Sequence, residues 1–159
     1  MISIAHYGIY CNNLEKMETF YKNVFSLVTV VEKQIQDDEI IQELLKEYDN
    51  GILQKKRVHI TKLITEKGVA MKDGDMLELI QLDQPLNNTQ LDCVFRTGTI
   101  HCCFRVVNIE NIKKLIIENG GEILSQIYLF PNGNKCFFAR DIEGNFLEII
   151  ERNALNISY

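Results

Sequence analysis

Apolar residues recur along this chain with two periods, and the switch between them marks out the elements. Leu14, Met17, Phe20, Tyr21 and Val24 fall on one face of a helix. Ile109, Ile112, Leu115 and Ile116 form a second helical stripe. Elsewhere the period is two. In "MLELI", Leu77 and Leu79 face one way, and Met76, Glu78 and Ile80 the other. In "FLEII", Leu147 and Ile149 oppose Phe146, Glu148 and Ile150. Further strands are predicted in "KRVHITKLIT", from Ile123 to Leu129 and from Lys135 to Arg140, the last two joined by the turn "FPNGN". Asn12 with Glu15 has the spacing of a capping box for the first helix. Asn119-Gly120-Gly121 supplies a stop for the second.

The two halves repeat one another. "HYGIYCNNLEKMETFYKNVF" starts at His6 and "HCCFRVVNIENIKKLIIENGG" at His101. Setting His6 on His101 places Asn13 on Asn108, Leu14 on Ile109 and Glu15 on Glu110 without a gap. "DGDMLELIQ" and "EGNFLEIIE" match as well: Gly74 with Gly144, Leu77 with Leu147, Glu78 with Glu148. Each unit therefore reads β-α-β-β-β, and the fold class is α+β, two βαβββ modules. The first module is expected over 1–84 and the second over 98–153. A linker, "DQPLNNTQLDCVFRTG" at its core (85–97), joins them, and a tail follows at 154–159. The first module carries an insertion, "EKQIQDDEIIQELLKEYDNGILQ". Its core, about 36–51, reads as a helix with Ile40, Ile41, Leu44, Leu45 and Tyr48 on one face and Asn50-Gly51 at its end.

The repeat extends to residues that an apolar frame does not require. A lone His at a strand start is usually hydrogen-bonded structure, and a lone Glu in a strand usually faces solvent. Here His6 and His101 match, and Glu78 and Glu148 match. Two equivalent sheets can close into a half-barrel cup whose concave side receives one imidazole and one carboxylate from each half. That donor set, completed by water, suits one six-coordinate divalent ion: Ni²⁺, Zn²⁺, Co²⁺, Mn²⁺ or Fe²⁺. The metal would offset the charge of Glu148 within its strand. The metal set is then His6, Glu78, His101 and Glu148. His59 lacks a counterpart in the second half and reads as structural or exposed. Cys102 and Cys103 read as small buried strand residues. Lys113-Lys114 and Lys55 to Arg57 read as solvated faces.

Charge and cysteine usage narrow the partners. The 159 residues carry 17 Lys and Arg against 22 Asp and Glu, a net charge of −5. That argues against nucleic acid or an anionic membrane as partner. Five Cys (Cys11, Cys93, Cys102, Cys103 and Cys136), without a CxxC pair, argue against a disulfide framework and for a reducing compartment. "MISIAHYGIY" lacks the basic region and long apolar run of a secretory leader, and no stretch has the ~18 apolar residues of a membrane span. A cytoplasmic protein is expected.

The stretches "HYGIYCNNLEKMETFYKNVF", "MLELIQ", "HCCFRVVNIE" and "FFARDIEGNFLEIIE" together resemble the vicinal oxygen chelate superfamily. It includes glyoxalase I, methylmalonyl-CoA epimerase, extradiol dioxygenases, fosfomycin-resistance proteins and bleomycin-binding proteins. The resemblance implies the glyoxalase-like fold over Ile4 to Glu151. Members of the glyoxalase I type use His or Gln, Glu, His and Glu, which fall here on His6, Glu78, His101 and Glu148. Dioxygenases and fosfomycin-resistance enzymes lack the first-module carboxylate, and bleomycin-binding members lack the ligands. The resemblance thus implies a metal-dependent lyase or isomerase, similar to lactoylglutathione lyase. It would remove a proton next to a carbonyl of a small carbonyl or thioester substrate, and the ion would stabilise the enediolate or enolate. Glu148 is implied as base and Glu78 as the group on the other face. Alternatives are an acyl-CoA epimerase like methylmalonyl-CoA epimerase and a non-catalytic binding protein of the bleomycin-resistance type. Glutathione-using bacterial members carry Arg where Tyr10 stands and Asn where Leu82 stands, which puts glutathione in doubt. Ser26 replaces a usual Gly. In the family the modules close within a chain or across a dimer, and a homodimer is expected here. The insertion reads as a surface helix, or as a lid or dimer contact.

Overall fold

The computed structural model describes residues 4–36, 57–72, 74–83 and 100–153. The linker, the tail and residues 37–51 of the inserted helix lie outside them. The first strands are β1 (His6–Cys11), β2 (Val28–Gln36), β3 (Val58–Ile64) and β4 (Met76–Leu82), with helices α1 (Leu14–Phe25) and α2 (Glu66–Met71). The second half holds β5 (His101–Val106), α3 (Ile109–Glu118), β6 (Glu122–Ile123), β7 (Tyr128–Leu129), β8 (Lys135–Arg140) and β9 (Phe146–Glu151). The chain divides into two compact units. One carries β1–β4 and α2, with α1 as far as Lys22; the other carries Asn23–Phe25, β5–β9 and α3.

Each unit has a mixed sheet. The first has the order β1-β4-β3-β2, the second β5-β9-β8-β6, with β7 also on β8. β1 runs parallel to β4, and β5 parallel to β9, while the other pairs are antiparallel. Parallel neighbours need a crossover, and the helical stripes supply it. Leu14, Met17, Phe20 and Tyr21 are buried, as are Leu63, Leu77 and Leu79 in the first unit. In the second, Ile109 and Ile116 are buried with Phe137, Leu147 and Ile149. One face of each sheet thus forms its core, and β4 and β9 turn Glu78 and Glu148 to the other face.

The helix starts repeat in detail. Asn13 caps α1 by accepting from Lys16 N–H at 3.0 Å, and Asn108 caps α3 by accepting from Asn111 N–H at 3.0 Å. The cap is therefore Asn13, one residue beyond the expected Asn12, so Glu15 does not occupy the capping-box position. A strand residue completes each cap. Leu14 N–H donates to Gln81 Oε1 and Ile109 N–H to Glu151 Oε2, both at 2.8 Å. Gln81 and Glu151 each lie three residues beyond the repeated Glu, so one side chain ties each crossover helix to the strand that carries the candidate ligand.

The structure departs from expectation in three further places. β2 runs to Gln36, so the start of the stretch read as inserted is strand. "EKGVAM" forms α2, capped by Thr65, whose hydroxyl accepts from Gly68 N–H at 3.0 Å. A Cβ on Gly68 would meet Ile64 at 2.6 Å, so glycine is required for this close approach. The strand expected from Ile123 to Leu129 is two short pieces, β6 and β7. Between them, the Ser125 hydroxyl accepts from Phe138 N–H at 2.9 Å, where a strand carbonyl would otherwise serve. At the end of α3, Gly120 adopts φ +87° and Gly121 N–H donates to Ile116 O at 2.9 Å, the glycine stop that was expected.

Candidate metal centre

Strand register brings His6 to Glu78. His6 lies opposite Met76 on the parallel neighbour and Glu78 two residues further, opposite Gly8. With the small Gly8 between them, the imidazole reaches diagonally, and His6 Nε2 lies 3.3 Å from Glu78 Oε2. Across the other ladder Lys62 stands directly opposite Glu78. Its Nζ lies 3.0 Å from Glu78 Oε1. The Glu78 side chain is only 12% exposed, against 40% for His6, so the carboxylate is sunk in the sheet and the imidazole open.

The second unit repeats the pair in the same register. His101 lies opposite Phe146, and Glu148 opposite Cys103. His101 Nε2 is 3.1 Å from Glu148 Oε2. Its remaining surroundings differ from those of Glu78. Phe138, not a lysine, stands opposite Glu148, and His101 meets the Phe138 ring edge-on at 6.1 Å. Cys136 Sγ–H donates to Glu148 Oε1 at 3.5 Å. Burial, and then the Glu148 charge beside them, pushes the Cys103 thiol up to about 12 and that of Cys136 to about 11. Burial alone takes Cys102 to about 11. At neutral pH all three are neutral thiols, not nucleophiles. Cys103 is exposed and Cys102 half-buried, so the reading of both as buried holds only in part.

The donors fit a divalent cation. Two ligands of one ion, bound at about 2.1 Å and at right angles, sit about 3 Å apart. Each pair sets an imidazole nitrogen and a carboxylate oxygen at that spacing, 3.3 and 3.1 Å, on adjacent strands that fix it. The imidazole–carboxylate mixture suits the borderline first-row ions. Among the described residues no three or more His, Cys, Asp or Glu side chains gather as a ligand group; these donors come as two pairs.

The remaining residues singled out in the sequence stand apart. His59 alternates to the opposite face of β3 from Lys62, and its Nε2 lies 2.6 Å from Asp83 Oδ1. Its Nδ1 is buried without a partner among the described residues. That contact, followed by the charge of Arg57, holds the Asp83 carboxyl below the usual range. His59 is thus half-buried and held by Asp83, away from the Glu78 face. Tyr10 is exposed, and Leu82 is buried in an apolar cluster with Val58 and Ile60. Lys114 lies 3.5 Å from Glu118 on the helix surface. Lys62 was missed in the sequence. The signal was the alternation of Val58, Ile60 and Lys62, which places the lysine on the face of Glu78.

Residues 3–149 match the Glyoxalase/Bleomycin resistance protein/Dioxygenase superfamily. The chain belongs to this superfamily. Solved members share its fold at low identity. A glyoxalase family protein from Bacillus cereus superposes with a TM-score of 0.78 at 16% identity, over 95% of this chain and 94% of that one. A glyoxalase family protein from Enterococcus faecalis gives 0.61 at 19%, over 94% and 97%. Lactoylglutathione lyase from Agrobacterium tumefaciens gives 0.53 at 19%, over 94% and 92%. No curated protein matches the chain in sequence. The superfamily includes enzymes and binders of small molecules, and among the described residues no helix is long and apolar enough to cross a membrane.

Proposed function

We propose that this superfamily member is a metal-dependent lyase or isomerase of the glyoxalase I type, acting on a small carbonyl compound by moving a proton next to the carbonyl. One observation carries the reading: the same His–Glu pair, in the same register and at ligand spacing, in both units. His6, Glu78, His101 and Glu148 would hold one Ni²⁺, Zn²⁺, Co²⁺, Mn²⁺ or Fe²⁺ ion, with the pairs drawn from one chain or from two copies. The ion, when bound, supplies Lewis-acid stabilisation of the negative charge that builds on the substrate oxygen, worth several kcal/mol.

The chain's own residues divide the remaining work. Glu148 is the base. Its Oε2 faces His101, its Oε1 takes a long contact from the Cys136 thiol, and the Cys103 thiol also bonds to the carboxylate. Both thiols are neutral and hold the carboxylate less firmly than a cation would, so they can give way to a substrate proton. His101 and the Phe138 edge orient the carboxylate. Both oxygens of Glu78 are engaged, by His6 and Lys62, which suits a ligand better than a proton carrier. The buried Leu82 and exposed Tyr10 offer neither of the polar groups with which the glutathione-using members meet their thiol, so another thiol or a free carbonyl compound is the substrate class.

The test is solvent deuterium uptake at the carbon next to the carbonyl, measured on methylglyoxal–thiol adducts and on a methylmalonyl thioester. The wild type is expected to turn over the former. Glu148→Gln is expected to lose about 10²–10⁴-fold in turnover while keeping most of its metal. Full activity in that variant removes Glu148 as base. Exchange at C2 of the thioester alone would favour an epimerase, and binding without exchange of any substrate would favour a sequestering protein.

A further inference from the structure

The two repeated carboxylates differ in what stands across the ladder from them. The residue opposite Glu78 is Lys62, and the residue opposite Glu148 is Phe138. A directly opposed pair on antiparallel strands is the closest side-chain contact a sheet offers. The Lys62 ammonium lies 3.0 Å from Glu78 Oε1, while His6 takes the Oε2 side at 3.3 Å. Lys62 has little freedom to leave. Its neighbours on the same face of β3, Ile60 and Ile64, are buried, and the lysine itself is only 28% exposed. Among the described residues Glu148 faces no cation across the ladder; its Oε1 is met by Cys136 at 3.5 Å, and the neutral Cys103 thiol also bonds to the carboxylate.

We propose that Lys62 is a positioning residue that occupies Glu78 Oε1 and leaves only Oε2 for a cation. The inference rests on the metal reading above. Glu78 then binds through one oxygen, and the two halves of the site, equal in their ligands, are unequal in their chemistry. An ammonium held beside a ligand also opposes a divalent ion through space. The lysine therefore weakens metal binding while it stabilises the metal-free protein. Those two effects have opposite signs, which separates this role from that of an ordinary structural ion pair.

The experiment titrates metal-free wild type, Lys62→Met, Lys62→Gln and Lys62→Arg with Co²⁺, following visible absorption and competition with a chromophoric chelator. Thermal unfolding of each metal-free protein is measured in parallel. Lys62→Met and Lys62→Gln are expected to bind Co²⁺ about tenfold more tightly or better, because a unit charge close to the ion is removed. Their visible bands are expected to shift as the freed carboxylate oxygen displaces a water ligand. Their metal-free forms are expected to melt lower. Lys62→Arg keeps the charge and is expected to match the wild type in affinity and spectrum. Lower melting with unchanged or weaker Co²⁺ binding in both neutral variants overturns the inference and leaves the metal reading standing. Failure of the wild type to bind Co²⁺ overturns the metal reading, and this inference with it.

Discussion

Replacing Asp141 by Ala tests how the strand bearing Glu148 is delivered. Asp141 is buried at the head of the turn before β9, with a relative exposure of 3%. Its Oδ1 accepts from Glu143 N–H at 2.9 Å and from Asn145 N–H at 3.0 Å, and its Oδ2 accepts from Asn145 Nδ2 at 2.9 Å. The backbone closes the same turn, Asp141 N–H to Asn145 O at 3.1 Å and Gly144 N–H to Asp141 O at 3.2 Å. A hydrogen bond to a charged group contributes about 1.5–3 kcal/mol, and an orphaned buried donor costs more than the bond alone. The turn is half-buried, so water repairs part of the loss. Taking the low end for the two backbone donors, Asp141→Ala costs about 3 kcal/mol, or about 6–12 °C in melting temperature for a chain of this size. Asp141→Asn keeps the Oδ1 acceptor and loses the contact to Asn145 Nδ2, for about 1 kcal/mol. Urea unfolding followed by circular dichroism measures both, and hydrogen exchange at Phe146 to Glu148 locates the damage. A cost below about 1 kcal/mol for Ala, or equal costs for Ala and Asn, would show that the carboxylate does not organise this turn.

Ser26 ends α1 in the left-handed region at φ 55°, with its N–H donating to Lys22 O at 3.0 Å. Ser26→Gly relieves that strain and is expected to raise stability by about 0.5–1 kcal/mol, after allowance for the freer unfolded chain; a loss in urea unfolding would contradict it. A second prediction concerns acid. The His59 hydrogen bond depresses Asp83, while Lys135 and the Ile109 N–H depress Glu151. Their contribution is complete above the ordinary carboxylate values of about 4 and is lost as pH falls through the lower folded values. The Asp83→Asn, Glu151→Gln variant is expected to show a shallower loss of stability on acidification below about pH 4. An acid limb as steep as the wild type's would contradict the assignment.

The repeat was legible because polar residues carry identity where apolar ones carry only pattern. His6 with His101 and Glu78 with Glu148 aligned both halves, and β1–β4 and β5–β9 then paired as parallel neighbours. Details that depend on local competition were not legible. Asn12 and Asn13 are both good caps, and the fit of the helix start onto Gln81 selects the second. Helix α2 is short and holds a glycine, so it shows no stripe; the Thr65 cap was the available cue. Ser125 breaks one strand into β6 and β7 through a single hydroxyl contact, which periodicity does not reveal. For the candidate site, the sequence named the four candidate ligands but missed the lysine that stands on one of them. Alternation gives the face of Lys62, and only the β3–β4 register shows that it stands on Glu78.

The most direct measurement is elemental analysis of the purified protein, alone and after equilibration with each first-row divalent ion. It should be repeated on His6→Ala and His101→Ala. The expected result is one tightly held ion for each set of four ligands, with most of it lost in either variant. A wild type that retains no ion, or histidine variants that keep it undiminished, would contradict the claim that the two matched pairs form one metal centre.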